Sequence, residues 1–183
     1  MRINAGKYKG RNLDYPRSGL RPTKDMTRQA IFNIIGRSIR GARVCDLYAG
    51  GGALGIEALS RGASEAVFVE TNPATIRFLR LNTRDLDGAT VIKADVLKAL
   101  PRFAGRRFDI IIADPPYRGQ LVQPTVDAVA RHGLLAAEGL LVIEHHRTEL
   151  PEPGTYWRVG RQGTYGESLV TILERAQETE VLS

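Results

Sequence analysis

Residues 46–57 read Asp46-Leu47-Tyr48-Ala49-Gly50-Gly51-Gly52-Ala53-Leu54-Gly55-Ile56-Glu57, and the fold class follows from how this stretch changes character. The residues Val44-Cys45-Asp46-Leu47-Tyr48 form a short, largely apolar run of the kind that becomes a buried strand. Three glycines interrupt it. Ala53, Leu54, Ile56, Ala58 and Leu59 then recur at helical spacing. A strand that ends in a glycine turn and opens a helix leaves backbone N–H groups uncovered by side chains, at the positive end of a helix dipole. Gly50, Gly52 and Gly55 also satisfy G-x-G-x-x-G, a dinucleotide fingerprint. By itself that pattern fits a tight strand-to-helix turn as well as a nucleotide site.

Outward from this turn the chain alternates. Strand patterns cover 43–48, 66–70, 89–93, 108–113 and 139–144, with helical stretches near 53–61, 73–86, 95–103 and 121–133. Apolar strands separated by helices predict βαβ units around a parallel sheet. The pattern changes after residue 155. Tyr156 to Arg161 and Ser168 to Leu173 are strand-like runs joined by the polar, glycine-containing stretch 162–167, so a hairpin should add one antiparallel strand. The expected fold is a Rossmann-like α/β domain with a mostly parallel seven-stranded sheet, one antiparallel strand and a short N-terminal hairpin or arm. Residues 24–39 predict an amphipathic helix through Ala30, Ile31, Ile34 and Ile35, with Thr23 or Asp25 as its cap. The division expected is an arm over 1–20, a domain over 21–175 and a frayed tail over 176–183.

Charge is distributed unevenly over the 183 residues. The net charge is +6, yet residues 1–43 carry eleven Lys or Arg and two Asp, a balance of +9, while the remainder carries fifteen basic and eighteen acidic side chains, a balance of −3. A basic face is often merely solvated, but concentration in one segment points to a polyanion, of which nucleic acid is the commonest. Lys7, Lys9, Arg11 and Arg17 are the expected phosphate contacts, with Arg21 and Arg28 beyond them. With few apolar residues in it, the arm is expected to dock RNA and to lie outside the catalytic core. No apolar run approaches the ~20 residues of a membrane span. No signal-peptide core is visible and Cys45 is the only cysteine, so a reducing cytoplasm and a small buried thiol are expected. No His/Cys/carboxylate spacing suggests a metal.

A second motif, Asp114-Pro115-Pro116-Tyr117, directly follows the strand pattern 108–113. In open α/β sheets ligands collect at the carboxyl ends of strands, so this motif and the glycine turn share one rim. A carboxylate beside a rigid proline-turn carbonyl offers two acceptors aimed at one point, because Pro116 has no N–H to compete for it. Such a pair suits an exocyclic amino group on a base, and Tyr117 is placed to stack on the ring.

The glycine turn, Glu70, Asp95 and Asp-Pro-Pro-Tyr together resemble the S-adenosylmethionine-dependent methyltransferases of exocyclic amines. The segments Arg2-Ile3-x-Ala5-Gly6-Lys7-Tyr8-Lys9-Gly10-Arg11, Arg21-Pro22-Thr23-x-Asp25, Phe32-Asn33-Ile34, Asp46 to Gly50 and Gly52 to Ala63 resemble the RsmD family, bacterial methyltransferases of guanine N2 in 16S ribosomal RNA. The resemblance extends to Tyr165-Gly166. It implies that Asp46, Ala49 and the Gly50–Gly52 backbone hold the methionine end of S-adenosylmethionine. It further implies that Glu70, with Thr71 after it, takes the ribose hydroxyls and that Asp95 with Val96 reads the adenine. Asp114, Pro115, Pro116 and Tyr117 would form the catalytic face for the guanine. The implied partner is 16S ribosomal RNA or a small-subunit assembly particle, the implied state a monomer. Gly51 departs from the family, which often has Ser there, and Met26-Thr27 replaces Arg-Val. Asp95 reads equally as a helix cap. Glu144, His145 and His146 end another strand on the same rim, where the histidines are expected to face solvent. A DNA or RNA adenine-N6 methyltransferase uses the same acceptor motif, and a non-catalytic ribosome-assembly module is a further alternative. A NAD dehydrogenase explains the glycines but not Asp-Pro-Pro-Tyr.

Overall fold

Seven strands form one sheet in the order β3-β2-β1-β4-β5-β7-β6. The computed structural model describes residues 1–15, 22–117 and 119–176, and side chains except those of 22–24. Arg17, Arg21 and the tail beyond 176 therefore lie outside the described residues. The strands are β1 (Arg43–Leu47), β2 (Glu65–Glu70), β3 (Ala89–Lys93), β4 (Phe108–Ala113), β5 (Leu135–His146), β6 (Trp157–Tyr165) and β7 (Ser168–Arg175). β1 pairs in parallel with β2 and β4, β2 with β3, and β4 with β5, while β7 runs antiparallel to both β5 and β6. The expected sheet is what forms, a Rossmann-like α/β architecture. Its hairpin strands are longer and its turn tighter than the polar stretch 162–167 suggests. Cross-strand pairing of Gln162, Gly163 and Thr164 with Thr171, Val170 and Leu169 absorbs that stretch into β6.

The central strands are apolar without alternation because both faces are covered. Val44, Phe68, Ile110, Ile112 and Val142 face one cluster, which also contains Ile31 and Phe32 of α1 (Pro22–Ile35), Ile56 of α2 (Ala53–Ser60) and Leu79 of α3 (Pro73–Thr83). Cys45, Leu47, Val67, Ile111 and Leu141 face the other, with Val96 of α4 (Val96–Ala99), Leu100 and Phe103 of the following 3₁₀ turn, and Val126 and Val129 of α5 (Val122–Arg131). Burial pushes the Cys45 thiol far up in pKa, so it behaves as a small hydrophobe.

Helix α1 begins at Pro22, so Thr23 and Asp25 fall within its first turn and not at the residue preceding it. Proline at the first helical position forfeits an N–H that had no partner there. The arm also differs from expectation. Ile3 and Leu13 are buried in the first core cluster, and Tyr8 and Tyr15 pack against it. The Glu57 carboxylate accepts from the N–H groups of Asn4 and Ala5, and Lys7 N–H donates to Ser60 O at 2.7 Å. The amide of Asn82 accepts from Asp14 N–H and donates to Asp14 O. Residues 1–15 are thus bolted to α2 and α3 as part of the core. The few apolar residues of the arm suffice because they complete a cluster and do not build one.

Candidate active site

Sheet order reverses between β1 and β4, and there the two loops expected to carry chemistry face each other across the crevice. A cavity of about 540 Å³ occupies that position. Its lining includes Asp46, Tyr48 and Gly50 from the end of β1, Glu70 and Thr71 from the end of β2, and Asp114, Pro115, Pro116 and Tyr117 from the end of β4. The structure thus unites in a single volume two motifs whose first residues, Asp46 and Asp114, lie 68 positions apart in the sequence. Gly52 contributes to the turn without lining the cavity.

The turn after β1 is shaped by steric necessity. Gly52 is in the left-handed region, φ +89°, as it opens α2, and a Cβ there would lie 2.6 Å from Leu79 Cδ1. At Gly51 a Cβ would lie 2.5 Å from the Tyr15 ring, so this departure from the family pattern makes room for a tyrosine that closes over the turn. Tyr48 holds φ +61°, which a β-branched or bulky residue rarely adopts. Its hydroxyl is fixed 2.8 Å from Thr125 Oγ1. Such a backbone at a strand end beside a cavity is typical of a site that trades stability for geometry.

Two N–H groups of the turn are already used. Gly50 N–H donates to Glu70 Oε2 at 2.7 Å, and Gly52 N–H to Ala49 O at 2.8 Å. Glu70 Oε1 accepts from the N–H groups of Thr71 and Asn72. Glu70 is buried and clamps the first glycine to the start of the β2–α3 loop, leaving its remaining lone pairs for a ligand. Asp95 and Val96 do not line the cavity. Asp95 is exposed and caps α4 through Lys98 N–H at 3.1 Å, the cap reading of its position.

Asp46 accepts from Gly55 N–H at 2.8 Å and is buried. Desolvation, reinforced by the nearby carboxylates of Asp114 and Glu70, pushes its pKa up to about 7, against the pull of the Gly55 N–H. Because the folded-state pKa exceeds the unfolded value of ~3.9, the folded chain holds the extra proton between about pH 4 and 7. Stability from this group is present below pH 4 and is lost as the pH rises towards 7. Urea unfolding at pH 5 and pH 8 should therefore show a fall, on the order of a few kcal/mol, that Asp46→Asn lacks. An identical fall in the variant would assign it elsewhere.

At the far wall Tyr117 donates to Glu144 Oε1 at 2.9 Å and lies 2.5 Å from Ser168 Oγ. Burial of the hydroxyl, with the nearby Glu144 charge, pushes its pKa up to about 12, so it remains a phenol. The residue stays 39% exposed and lines the cavity. Glu144 thus belongs to the site. His145 does not face solvent: it is fully buried, with Nε2 2.8 Å from Thr171 Oγ1, because β5 continues past Glu144 and pairs with β7. Tyr15, Asn72 and Thr75 also line the cavity. No residue pattern points to these three, since only the packing of the arm and the β2–α3 loop places them there.

The basic residues separate. Lys7 and Lys9 are exposed. Arg11 forms an ion pair with Asp85, Nη2 to Oδ1 at 2.6 Å, and also donates to Asn82 O. Arg28 is 3% exposed and lines the cavity, so as a surface phosphate contact it is corrected: the first turns of α1 pack it inward. Among the described residues no group of three or more His, Cys, Asp or Glu could hold a metal ion, and no helix is long and apolar enough to cross a membrane.

Comparison with known proteins agrees with this geometry. Ribosomal RNA small subunit methyltransferase D of Escherichia coli (strain K12) is 34% identical over 184 residues, covering 98% of this chain and 92% of that protein. The solved structure of the Escherichia coli protein yhhF superposes with a TM-score of 0.88 at 32% identity, covering 97% of this chain and 99% of that one. A 16S rRNA N2 G1207 methyltransferase (RsmC) of Thermus thermophilus, solved with AdoMet and guanosine, has a TM-score of 0.70 at 25% identity, covering 88% of this chain and 45% of that one. The family model described as Conserved hypothetical protein 95 matches residues 1–174, and the chain belongs to that family, the RsmD family of methyltransferases.

Proposed function

We propose that this protein transfers a methyl group from S-adenosylmethionine to the exocyclic N2 of a guanine in small-subunit ribosomal RNA. The observation that carries this reading is one cavity lined both by the Asp46–Glu70 turn and by Asp114-Pro115-Pro116-Tyr117. The relatives' names, as methyltransferases of small-subunit RNA and of guanine N2, support the substrate.

The residues fit the cofactor. A cavity of about 540 Å³ lies within the usual ~300–1,000 Å³ range of small-molecule sites. Its lining carries the carboxylates of Asp46, Glu70, Asp114 and Glu144, which suits a ligand bearing positive charge. Asp46, buried and reluctant to ionise alone, would gain its charge opposite an ammonium. Glu70 would take the ribose hydroxyls, and Thr71, Asn72 and Thr75 flank the remaining wall. When bound, the cofactor supplies a methyl group activated on a sulfonium.

The chain's own contribution is placement. Asp114 and the Pro115 carbonyl would accept the two hydrogens of the guanine amine and aim its lone pair across the crevice. Tyr117, its hydroxyl tied to Glu144 and Ser168, would hold a flat wall for the base. A base must leave its stack to reach this point, which costs a few kcal/mol and least in an unpaired loop. After transfer the amine carries a surplus proton, for which the Asp114 carboxylate is the adjacent acceptor. Exposed Lys7 and Lys9 would contact phosphates, positioning the RNA without reading its sequence.

The test is methyl transfer from isotopically labelled S-adenosylmethionine to small subunits lacking this modification, with the product nucleoside identified by mass spectrometry. N2-methylguanosine is expected. N6-methyladenosine would replace the guanine assignment, and absence of transfer would favour a non-catalytic assembly role.

A further inference from the structure

Arg28 is the only basic side chain among the described residues lining the cavity, and its guanidinium is half unused. The polar contacts made within hydrogen-bond distance all involve Nη2, which donates to Arg2 O at 2.6 Å and Asp25 Oδ1 at 3.0 Å. With the Asn4 amide turned so that its oxygen faces Arg28, the same Nη2 meets it at 3.2 Å. Nε and Nη1 are buried without a hydrogen-bond partner. Glu57 does not serve them: its Oε2 stands 3.9 Å from Nε, and its two oxygens already accept from Asn4, Ala5 and Arg61. A buried charge with orphaned donors is costly, and such exceptions call for an explanation in function.

We propose that Arg28 is the anion subsite of this cavity and binds the α-carboxylate of the amino-acid end of the cofactor, a proposal that rests on the cofactor reading above. The subsite lies where that end would project. Arg28 comes from α1, and Tyr15, Ala53 and Leu54 line the same cavity, the last two at the N-terminus of α2, whose dipole favours an anion. The charge balance selects the kind of anion. Four carboxylates share the cavity with one guanidinium, so a phosphate dianion would meet net repulsion, whereas a zwitterion places its ammonium and carboxylate on opposite partners. Nη1 carries two N–H groups that no protein atom accepts, and a carboxylate oxygen is a charge-assisted acceptor for them.

The test uses two probes differing only in the carboxylate: S-adenosylhomocysteine and its decarboxylated analogue, which keeps the amine. Titration calorimetry on the wild-type protein should show the carboxylate improving affinity about 10- to 100-fold, the range for a charge-assisted hydrogen bond. In Arg28→Gln that preference should vanish, with affinity for the decarboxylated analogue changed little. Arg28→Lys, retaining the charge but not the planar set of donors, should recover part of it. The wild-type comparison needs no variant to fold, and equal affinity for the two probes would overturn the proposal. An equal loss of both probes in folded Arg28→Gln would overturn it by making Arg28 a brace between arm and α1. A loss confined to RNA affinity would overturn it in favour of a phosphate contact. If wild-type protein bound neither probe, the cofactor reading itself would fail, a result distinct from any of these.

Discussion

Asp114→Ala should reduce methyl transfer by about 10²-fold or more while leaving S-adenosylhomocysteine affinity within a few-fold of wild type. Asp114 stands at the end of β4, across the crevice from the Asp46–Glu70 turn. Removing its carboxylate would delete one of the two acceptors proposed to fix the amine, and an amine free to rotate would spend little time in line with the methyl group. The cofactor's proposed partners, Asp46, Glu70 and Arg28, are untouched. Asp114 even opposes ionisation of Asp46, so its loss should ease that ionisation and not weaken a cationic ligand. Asp114→Asn keeps one acceptor oxygen and should retain more activity than alanine. Single-turnover transfer with labelled cofactor, set beside calorimetric affinities, separates the cases. If affinity collapses while the bound complex still turns over, the division of the cavity into cofactor and base walls is wrong.

The sheet is legible in the sequence because its information is local. Val44 to Tyr48 and Phe108 to Ala113 are apolar apart from Asp46 and Asp109, without the strict alternation of a half-exposed strand, a pattern that a doubly covered parallel strand produces. Topology then has to place them together, since the rim of a parallel sheet collects the carboxyl ends of its strands. Arg28 escapes a sequence reading for the opposite reason. In the sequence it is one of eleven basic residues in a segment of high charge, and nothing in its neighbours distinguishes it from Lys9. Its inward orientation depends on residues 1–15 folding back over α1 and α2, a long-range event that local pattern does not encode. His145 escapes likewise, because a register of seven paired positions between β5 and β7 carries the strand beyond its apolar run. Asp95 shows a third limit: cap and adenine ligand require the same residue at the same place, and its hydrogen bond to Lys98 N–H fulfils only the cap.

Glu57→Ala should produce the largest loss of stability and take cofactor binding with it. The carboxylate is fully buried on α2, and its oxygens receive Asn4 N–H at 2.8 Å, Ala5 N–H at 3.1 Å and Arg61 Nε at 2.8 Å. Alanine would strand two backbone donors and leave Arg61 without the carboxylate it pairs with at 2.8 Å. Breaking a buried ion pair from one side costs about 3–5 kcal/mol. At about 2–4 °C per kcal/mol for a chain of this size, the midpoint of thermal unfolding should fall by on the order of 10 °C. The arm would loosen first, and the arm carries Tyr15, whose ring closes over Gly51 at the cavity. Cofactor affinity should therefore weaken at temperatures where the domain remains folded. Lys7→Ala and Lys9→Ala provide the contrast, since both side chains are exposed and neither lines the cavity. They should leave the unfolding midpoint and cofactor affinity unchanged while making the salt dependence of RNA binding shallower, by about 0.7–0.9 in slope for each phosphate no longer neutralised. Thermal unfolding, calorimetry and salt-dependent RNA titration on the three variants check the separation. An arm that served only to dock RNA would give Glu57→Ala the RNA defect and spare the cofactor. That outcome would return residues 1–15 to the status of an appendage.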